Sequence, residues 1–181
     1  MKLGMNLPED LEVEYVAAFI ADPAALFAEA MRTFAWNDRM RARKTASFGR
    51  AYNYSGNSYP TTEVPELLQP VICDIERVVG HTINNCLANL YDDGESSMGF
   101  HSDSAEGVVP GTSTSIVSLG APRSLLFRRS SDRGTEWPIQ LAPGSLLAMK
   151  ASVQTDWQHG IRPSPGTGAR ISLTFRHLVA A

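Results

Sequence analysis

Cysteine, long apolar runs and an excess of charge of either sign are what this chain lacks. Its two cysteines, Cys73 and Cys86, form no C-x-x-C pair, and unpatterned thiols of this kind fit a reducing cytoplasm, where both are expected free and buried. No stretch approaches the roughly 20 apolar residues of a membrane helix, and Met1-Lys2-Leu3-Gly4 opens no signal-peptide pattern. A soluble protein away from the membrane is therefore expected. The net charge of -3 argues against a binder held to nucleic acid by electrostatics alone. Basic residues still gather locally, at Arg39, Arg41, Arg43, Lys44 and Arg50 and again at Arg123, Arg128, Arg129 and Arg133. Each group is either an ordinary solvated surface or a patch that meets a partner, the first of them phosphates. Internal repeats, linkers and low-complexity segments are also missing. What remains, 181 residues of which 43% are apolar, suffices for one core, one domain spanning 1–181 and a monomer.

Two helical patterns precede a strand-rich region. Asp22-Pro23 reads as a cap and first helical residue, and Leu26, Phe27, Ala30, Met31 and Phe34 recur on one face, so a helix is predicted over about residues 22–34. From Glu63 to Val79 the positions Val64, Leu67, Leu68, Val71, Ile72, Ile75, Val78 and Val79 repeat at helical spacing, with Gly80 as the stop. Beyond Gly80 the period becomes that of strands, predicted at Asn85–Tyr91, Ser113–Ser118, Ser124–Arg128, Glu136–Leu141, Ser145–Lys150, His159–Arg162 and Ala169–His177. Asp92-Asp93-Gly94, Ala142-Pro143-Gly144 and Pro163 to Gly168 supply turns between them. Short strands at this spacing suggest a jelly-roll barrel rather than a parallel sheet.

The chemistry-bearing residues lie in that second region. His101-Ser102-Asp103 and the later His159 supply two imidazoles and a carboxylate, a set that can hold one face of a ferrous ion and leave positions open for substrate and dioxygen. A His-x-Asp triplet alone is a weak signal, and its plain alternative is a polar turn. Shortly after His159 comes Arg170-Ile171-Ser172-Leu173-Thr174-Phe175-Arg176. As a strand it turns Arg170, Ser172, Thr174 and Arg176 to one face and Ile171, Leu173 and Phe175 to the other. Two arginine forks on one face suit a dianionic ligand, although arginines in a terminal strand are more often surface residues.

Taken together, Asn89-Leu90-Tyr91-Asp92-Asp93-Gly94, His101-Ser102-Asp103, Ser118-Leu119-Gly120, Pro143-Gly144-Ser145-Leu146, Trp157-Gln158-His159-Gly160 and Arg170 to Arg176 occur in the order seen in AlkB-type dioxygenases. With Phe48 to Gly56 upstream, the chain resembles that family over roughly residues 36–178. The resemblance implies a mainly β fold with flanking helices (α+β). Its double-stranded β-helix (jelly-roll) core would cover about 85–178, backed by two N-terminal helices that share about 1–84 with a substrate lid. It implies that His101, Asp103 and His159 bind Fe(II), with no further catalytic side chain. Arg170 and Tyr91 would meet the distal carboxylate of 2-oxoglutarate, with Arg176 and Asn89 near its metal-binding end. Dioxygen and 2-oxoglutarate would be consumed, carbon dioxide and succinate released, and an N-methyl group hydroxylated and lost as formaldehyde. The implied substrates are alkylated bases of DNA or RNA, such as 1-methyladenine and 3-methylcytosine, flipped into the pocket beside Tyr52 and Tyr54. One position departs from the family pattern: Ala105 stands where repair members carry an acidic residue that contacts the exocyclic amine of the base. A hydroxylase or demethylase of a small metabolite or protein side chain therefore stays open as the alternative. A noncatalytic module is disfavoured by the intact ligand set.

Overall fold

Alternating apolar side chains, cut by turn residues, build most of this molecule from short antiparallel strands. The computed structural model describes residues 7–40, 42–54 and 57–179. In chain order they form β1 (Val13–Val16), α1 (Pro23–Thr33), β2 (Lys44–Gly49), β3 (Tyr52–Tyr54), β4 (Asn57–Tyr59), a 3-10 turn at Glu66–Leu68 and α2 (Gln69–Val79). There follow β5 (Asn85–Tyr91), β6 (Met98–His101), β7 (Thr114–Gly120), β8 (Arg123–Arg129), β9 (Trp137–Leu141), β10 (Leu146–Met149), α3 (Ala151–Asp156), β11 (Trp157–Ile161) and β12 (Arg170–Arg176). A six-stranded sheet in the order β1-β10-β7-β12-β5-β2 faces a four-stranded sheet in the order β6-β11-β8-β9, and β3 pairs with β4 in a separate hairpin. All pairings are antiparallel, which gives the jelly roll.

The two faces of β12 explain the layering. Ile171, Leu173 and Phe175 join Ala30 of α1 and Leu68, Ile72 and Ile75 around α2 in one apolar cluster, so the helices cover the outer face of the large sheet. Each such fully buried side chain contributes about 1.5–3 kcal/mol. Ile116, Leu147 and Met149 of the large sheet meet Leu125, Phe127, Ile139, Leu141 and Trp157 of the small one in a second cluster between the sheets. Arg170, Ser172, Thr174 and Arg176 also point inward.

Helix α1 starts, and α2 stops, where the caps say. Asp22 Oδ1 accepts the Ala25 amide at 2.9 Å, and Gly80 closes α2 in the left-handed region at φ 74°. The second helix nevertheless begins later than its apolar repeat, because Pro65 and Pro70 force a 3-10 turn before Gln69. Strand ends shift by one or two residues from the predicted ones; β1, β2, β3, β4 and β6 carry no strong alternation and went unpredicted. Cys86 is buried as expected, whereas Cys73 is exposed on the outer side of α2. Among the described residues no helix is long and apolar enough to cross a membrane.

Candidate metal centre and co-substrate cavity

Strands β6 and β11 are neighbours, and their register sets His101 opposite His159, with ring centroids 4.5 Å apart. Gly160 permits this approach. A Cβ there would lie 2.9 Å from Met98 O and 3.1 Å from the Phe100 amide nitrogen. Asp103 follows just after β6 and turns its carboxylate toward both rings. Its Oδ1 lies 3.5 Å from His101 Nε2 and 3.8 Å from His159 Nε2, while Oδ2 accepts a hydrogen bond from Arg176 Nη2 at 3.1 Å. One donor atom from each of the three residues falls within 4.8 Å of the others. The carboxylate is thus divided, one oxygen to the histidines and the other to an arginine.

Protonation states follow from these contacts. His101 Nδ1–H donates to Gly99 O at 2.9 Å, which leaves Nε2 with the lone pair that faces Asp103. Burial works against charging His101, but Asp103 and Gly99 O outweigh it and hold the imidazole above its usual value. Burial pushes His159 down to about 4, so it is neutral near pH 7. Burial alone would raise Asp103; the charge of Arg176 and the contacts with His101 and His159 overcome it and keep the carboxylate ionised. A neutral His159, a His101 whose extra proton a metal would displace, and one carboxylate form a donor set for a first-row metal.

Behind these residues lies a small cavity, lined by Asn89, Tyr91, His101, Asp103, His159, Arg170, Ser172, Thr174 and Arg176 among others, with Leu87, Met98, Ile116 and Ile161 as apolar wall. Register brings its polar members together: Arg170 opposes Tyr91 and Ser172 opposes Asn89 across β12 and β5. Arg170 is 1% exposed. Its Nη2 donates to Ser118 Oγ at 2.9 Å, and its Nε and Nη1 have no hydrogen-bond partner among the described residues. Burial lowers this guanidinium to about 10, yet it remains a cation. A buried fork with two idle donors fits a carboxylate.

All seven residues expected at the metal and the co-substrate therefore meet in one cavity. Tyr52 does not line it. The ring is buried with Tyr59, Leu87 and Leu178, and the Arg176 guanidinium stands over it at 4.7 Å from the ring centroid. The Tyr54 side chain lies outside the described residues, as does Arg41. Among the described residues, several members of the two basic groups are engaged with the protein's own atoms. Arg43 is buried and its Nε donates to Asn89 Oδ1 at 2.8 Å, while Lys44 pairs with Asp92. Arg123 is buried and donates to the carbonyls of Ser96 and Arg162, Arg128 binds Gln158, and Arg129 pairs with Asp10. Burial takes Arg43 and Arg123 out of solvent, whereas Lys44 and Arg129 stay partly exposed in their ion pairs. Arg43, read from sequence as part of a surface run, instead orients a cavity amide; only the β2–β5 pairing brings it there, and no local signal reveals it.

Residues 23–176 match the 2OG-Fe(II) oxygenase superfamily, and the chain belongs to it. Within that superfamily the curated proteins it is similar to include AlkB homologues. It is 34% identical over 151 residues to DNA oxidative demethylase ALKBH2 of Mus musculus, which covers 76% of this chain and 62% of that protein. It is 31% identical over 145 residues to alpha-ketoglutarate-dependent dioxygenase alkB homolog 3 of Homo sapiens, covering 74% of this chain and 51% of that one. The chain thus spans between half and two thirds of the length of these curated relatives. Among solved structures the fold resembles OsALKBH1 (TM-score 0.64, 16% identity, 91% of this chain and 97% of that one). It also resembles a Pseudomonas putida prolyl-4-hydroxylase (TM-score 0.59, 18% identity, 92% and 93%).

Proposed function

We propose that this chain oxidatively demethylates alkylated nucleobases in DNA or RNA, with Fe(II) held by His101, Asp103 and His159 and 2-oxoglutarate held by Arg170, Tyr91, Arg176 and Asn89. The observation that carries the reading is the convergence of a two-histidine, one-carboxylate cluster and a buried arginine with two idle donors on one cavity. The similarity to a DNA oxidative demethylase supplies the substrate class. Bound together, iron, 2-oxoglutarate and dioxygen supply the oxidation, in which an N-methyl group is hydroxylated and lost as formaldehyde while the co-substrate becomes succinate and carbon dioxide.

The residues of the chain do the positioning. His101 and His159 present neutral nitrogens. Asp103 binds through Oδ1 because Arg176 occupies Oδ2. Arg170 meets the distal carboxylate with its free edge, next to Tyr91. Asn89, its carbonyl engaged by Arg43, turns its amide N–H₂ to the metal-binding end of the co-substrate. Leu87, Met98, Ile116 and Ile161 exclude water from the reacting centre. Tyr52 backs Arg176 from outside the cavity, which leaves Tyr54 as the residue proposed to stack on the flipped base. One chain completes this cavity, which suits a monomer, and its thiols suit the cytoplasm.

The test is a panel of single-stranded DNA and RNA oligonucleotides carrying 1-methyladenine or 3-methylcytosine, incubated with Fe(II), 2-oxoglutarate and oxygen and read by mass spectrometry. Loss of one methyl group with matching succinate is expected. Turnover of 2-oxoglutarate on a metabolite or protein with every oligonucleotide unchanged would sink the nucleobase assignment.

A further inference from the structure

His101 and His159 are fixed by the β6–β11 ladder, but Asp103 is not. β6 ends at His101, so the aspartate lies beyond the last ladder residue and its direction depends on what pins its main chain. Two hydrogen bonds do so, both reaching the segment that leads into β11. Ser102 Oγ donates to Trp157 O at 2.7 Å, and the backbone N–H of Asp103 donates to Gln154 Oε1 at 2.8 Å. Gln154 sits on α3, which runs directly into the strand that carries His159. Its Nε2 faces Met149 Sδ at 3.8 Å, and this sets the amide with Oε1 toward Asp103. A single side chain therefore spans the two segments that supply the cluster.

We infer that Gln154 is a positioning residue of the metal centre: by accepting the Asp103 N–H it fixes the angle at which Asp103 Oδ1 meets the two imidazoles. The inference rests on the reading that His101, Asp103 and His159 hold the metal. Arg176 fixes the far oxygen of the carboxylate and Gln154 the near end of the residue, so the side chain is held at both ends. Loss of the acceptor leaves a half-buried N–H without a partner, and the loop shifts to rehydrate it. Groups that orient metal ligands from behind act on affinity as well as on geometry.

Mn(II), titrated without oxygen or co-substrate and followed by the resonance signal of the free ion, separates this role from simple loop stability. Wild type is expected to bind one ion and Asp103→Ala to lose it. Gln154→Met, close in volume but without an acceptor, should bind about 10–100-fold more weakly. Its metal-free melting temperature should stay near that of wild type. Gln154→Glu still accepts from the Asp103 N–H and should stay within about threefold of wild type. Equal binding by wild type and Asp103→Ala would remove the metal site and this inference together. Loss in Asp103→Ala with unchanged affinity in Gln154→Met overturns the inference alone. Equal weakening in the Glu and Met variants also overturns it, because the acceptor would then not be what matters. Should the Met variant fail to fold, Gln154→Ala takes its place, since alanine keeps α3 helical and removes the same acceptor.

Discussion

Replacing Arg170 with methionine should have opposite effects on binding and on bare stability. In the ligand-free protein the Arg170 guanidinium is 1% exposed, donates a hydrogen bond to Ser118 Oγ, and is lowered to about 10 by burial. That shift corresponds to roughly 3 kcal/mol of unfavourable burial of the charge, at 1.36 kcal/mol per pKa unit. Methionine fills similar space without a charge, and the orphaned Ser118 hydroxyl takes back about 1 kcal/mol. Arg170→Met should therefore melt no lower than wild type when ligand-free. Co-substrate binding should change the other way. Two charge-assisted hydrogen bonds from Nε and Nη1 are worth about 1.5–3 kcal/mol each, so the Kd for 2-oxoglutarate should rise by at least about 100-fold. Arg170→Lys keeps the charge but loses the planar fork and should fall between. Calorimetric titration of 2-oxoglutarate into the Mn(II)-loaded protein gives the affinities, and melting curves with and without co-substrate give the stability. An unchanged Kd in Arg170→Met would refute the assignment of the fork to the carboxylate. A large drop in ligand-free melting temperature would refute the claim that the charge is buried at a cost.

Arg176→Ala, unlike the Arg170 variants, should weaken both Mn(II) and 2-oxoglutarate, because it frees Asp103 Oδ2 inside the cavity; parallel titrations showing loss of only one ligand would contradict the divided carboxylate. Metal affinity should fall as the pH is lowered through the raised pKa of His101, a decline that starts above 6.5, since the metal must displace that proton; His159, at about 4, adds nothing in this range, and affinity flat down to pH 5 would be inconsistent with these environments. Ala105 is exposed on the loop after Asp103, so Ala105→Asp or Ala105→Glu should improve demethylation of lesions that carry an exocyclic amine by up to about 1–3 kcal/mol of discrimination, read as relative kcat/KM. Equal effects on lesions with and without that amine would show that this loop does not face the base edge.

Periodicity and residue type were enough for much of this protein. The alternation of Arg170 to Arg176 already assigned its two faces, because side chains in any strand point to opposite sides, and β12 keeps that division. The caps Asp22 and Gly80 are local hydrogen-bond and backbone preferences, so the helix ends they mark are legible in sequence, whereas the late start of α2 came from two prolines competing with an apolar repeat. The order of His101, Asp103, His159, Arg170 and Arg176 pointed to one chemistry only through the resemblance to AlkB-type dioxygenases, since each of these residues alone has commoner uses. What the sequence left undecided were relations between distant segments. Arg43 reads as one more surface cation until β2 pairs with β5 and lays it against Asn89. Gln154 has no motif of its own and reaches Asp103 only because α3 packs beneath the β6 loop. Whether Arg170 is buried and half-satisfied, or solvated like most terminal arginines, depended on a second sheet closing over it. Local interactions act between near neighbours and repeat with a fixed period, so sequence records them; burial and register join residues many positions apart, and only the folded chain sets them.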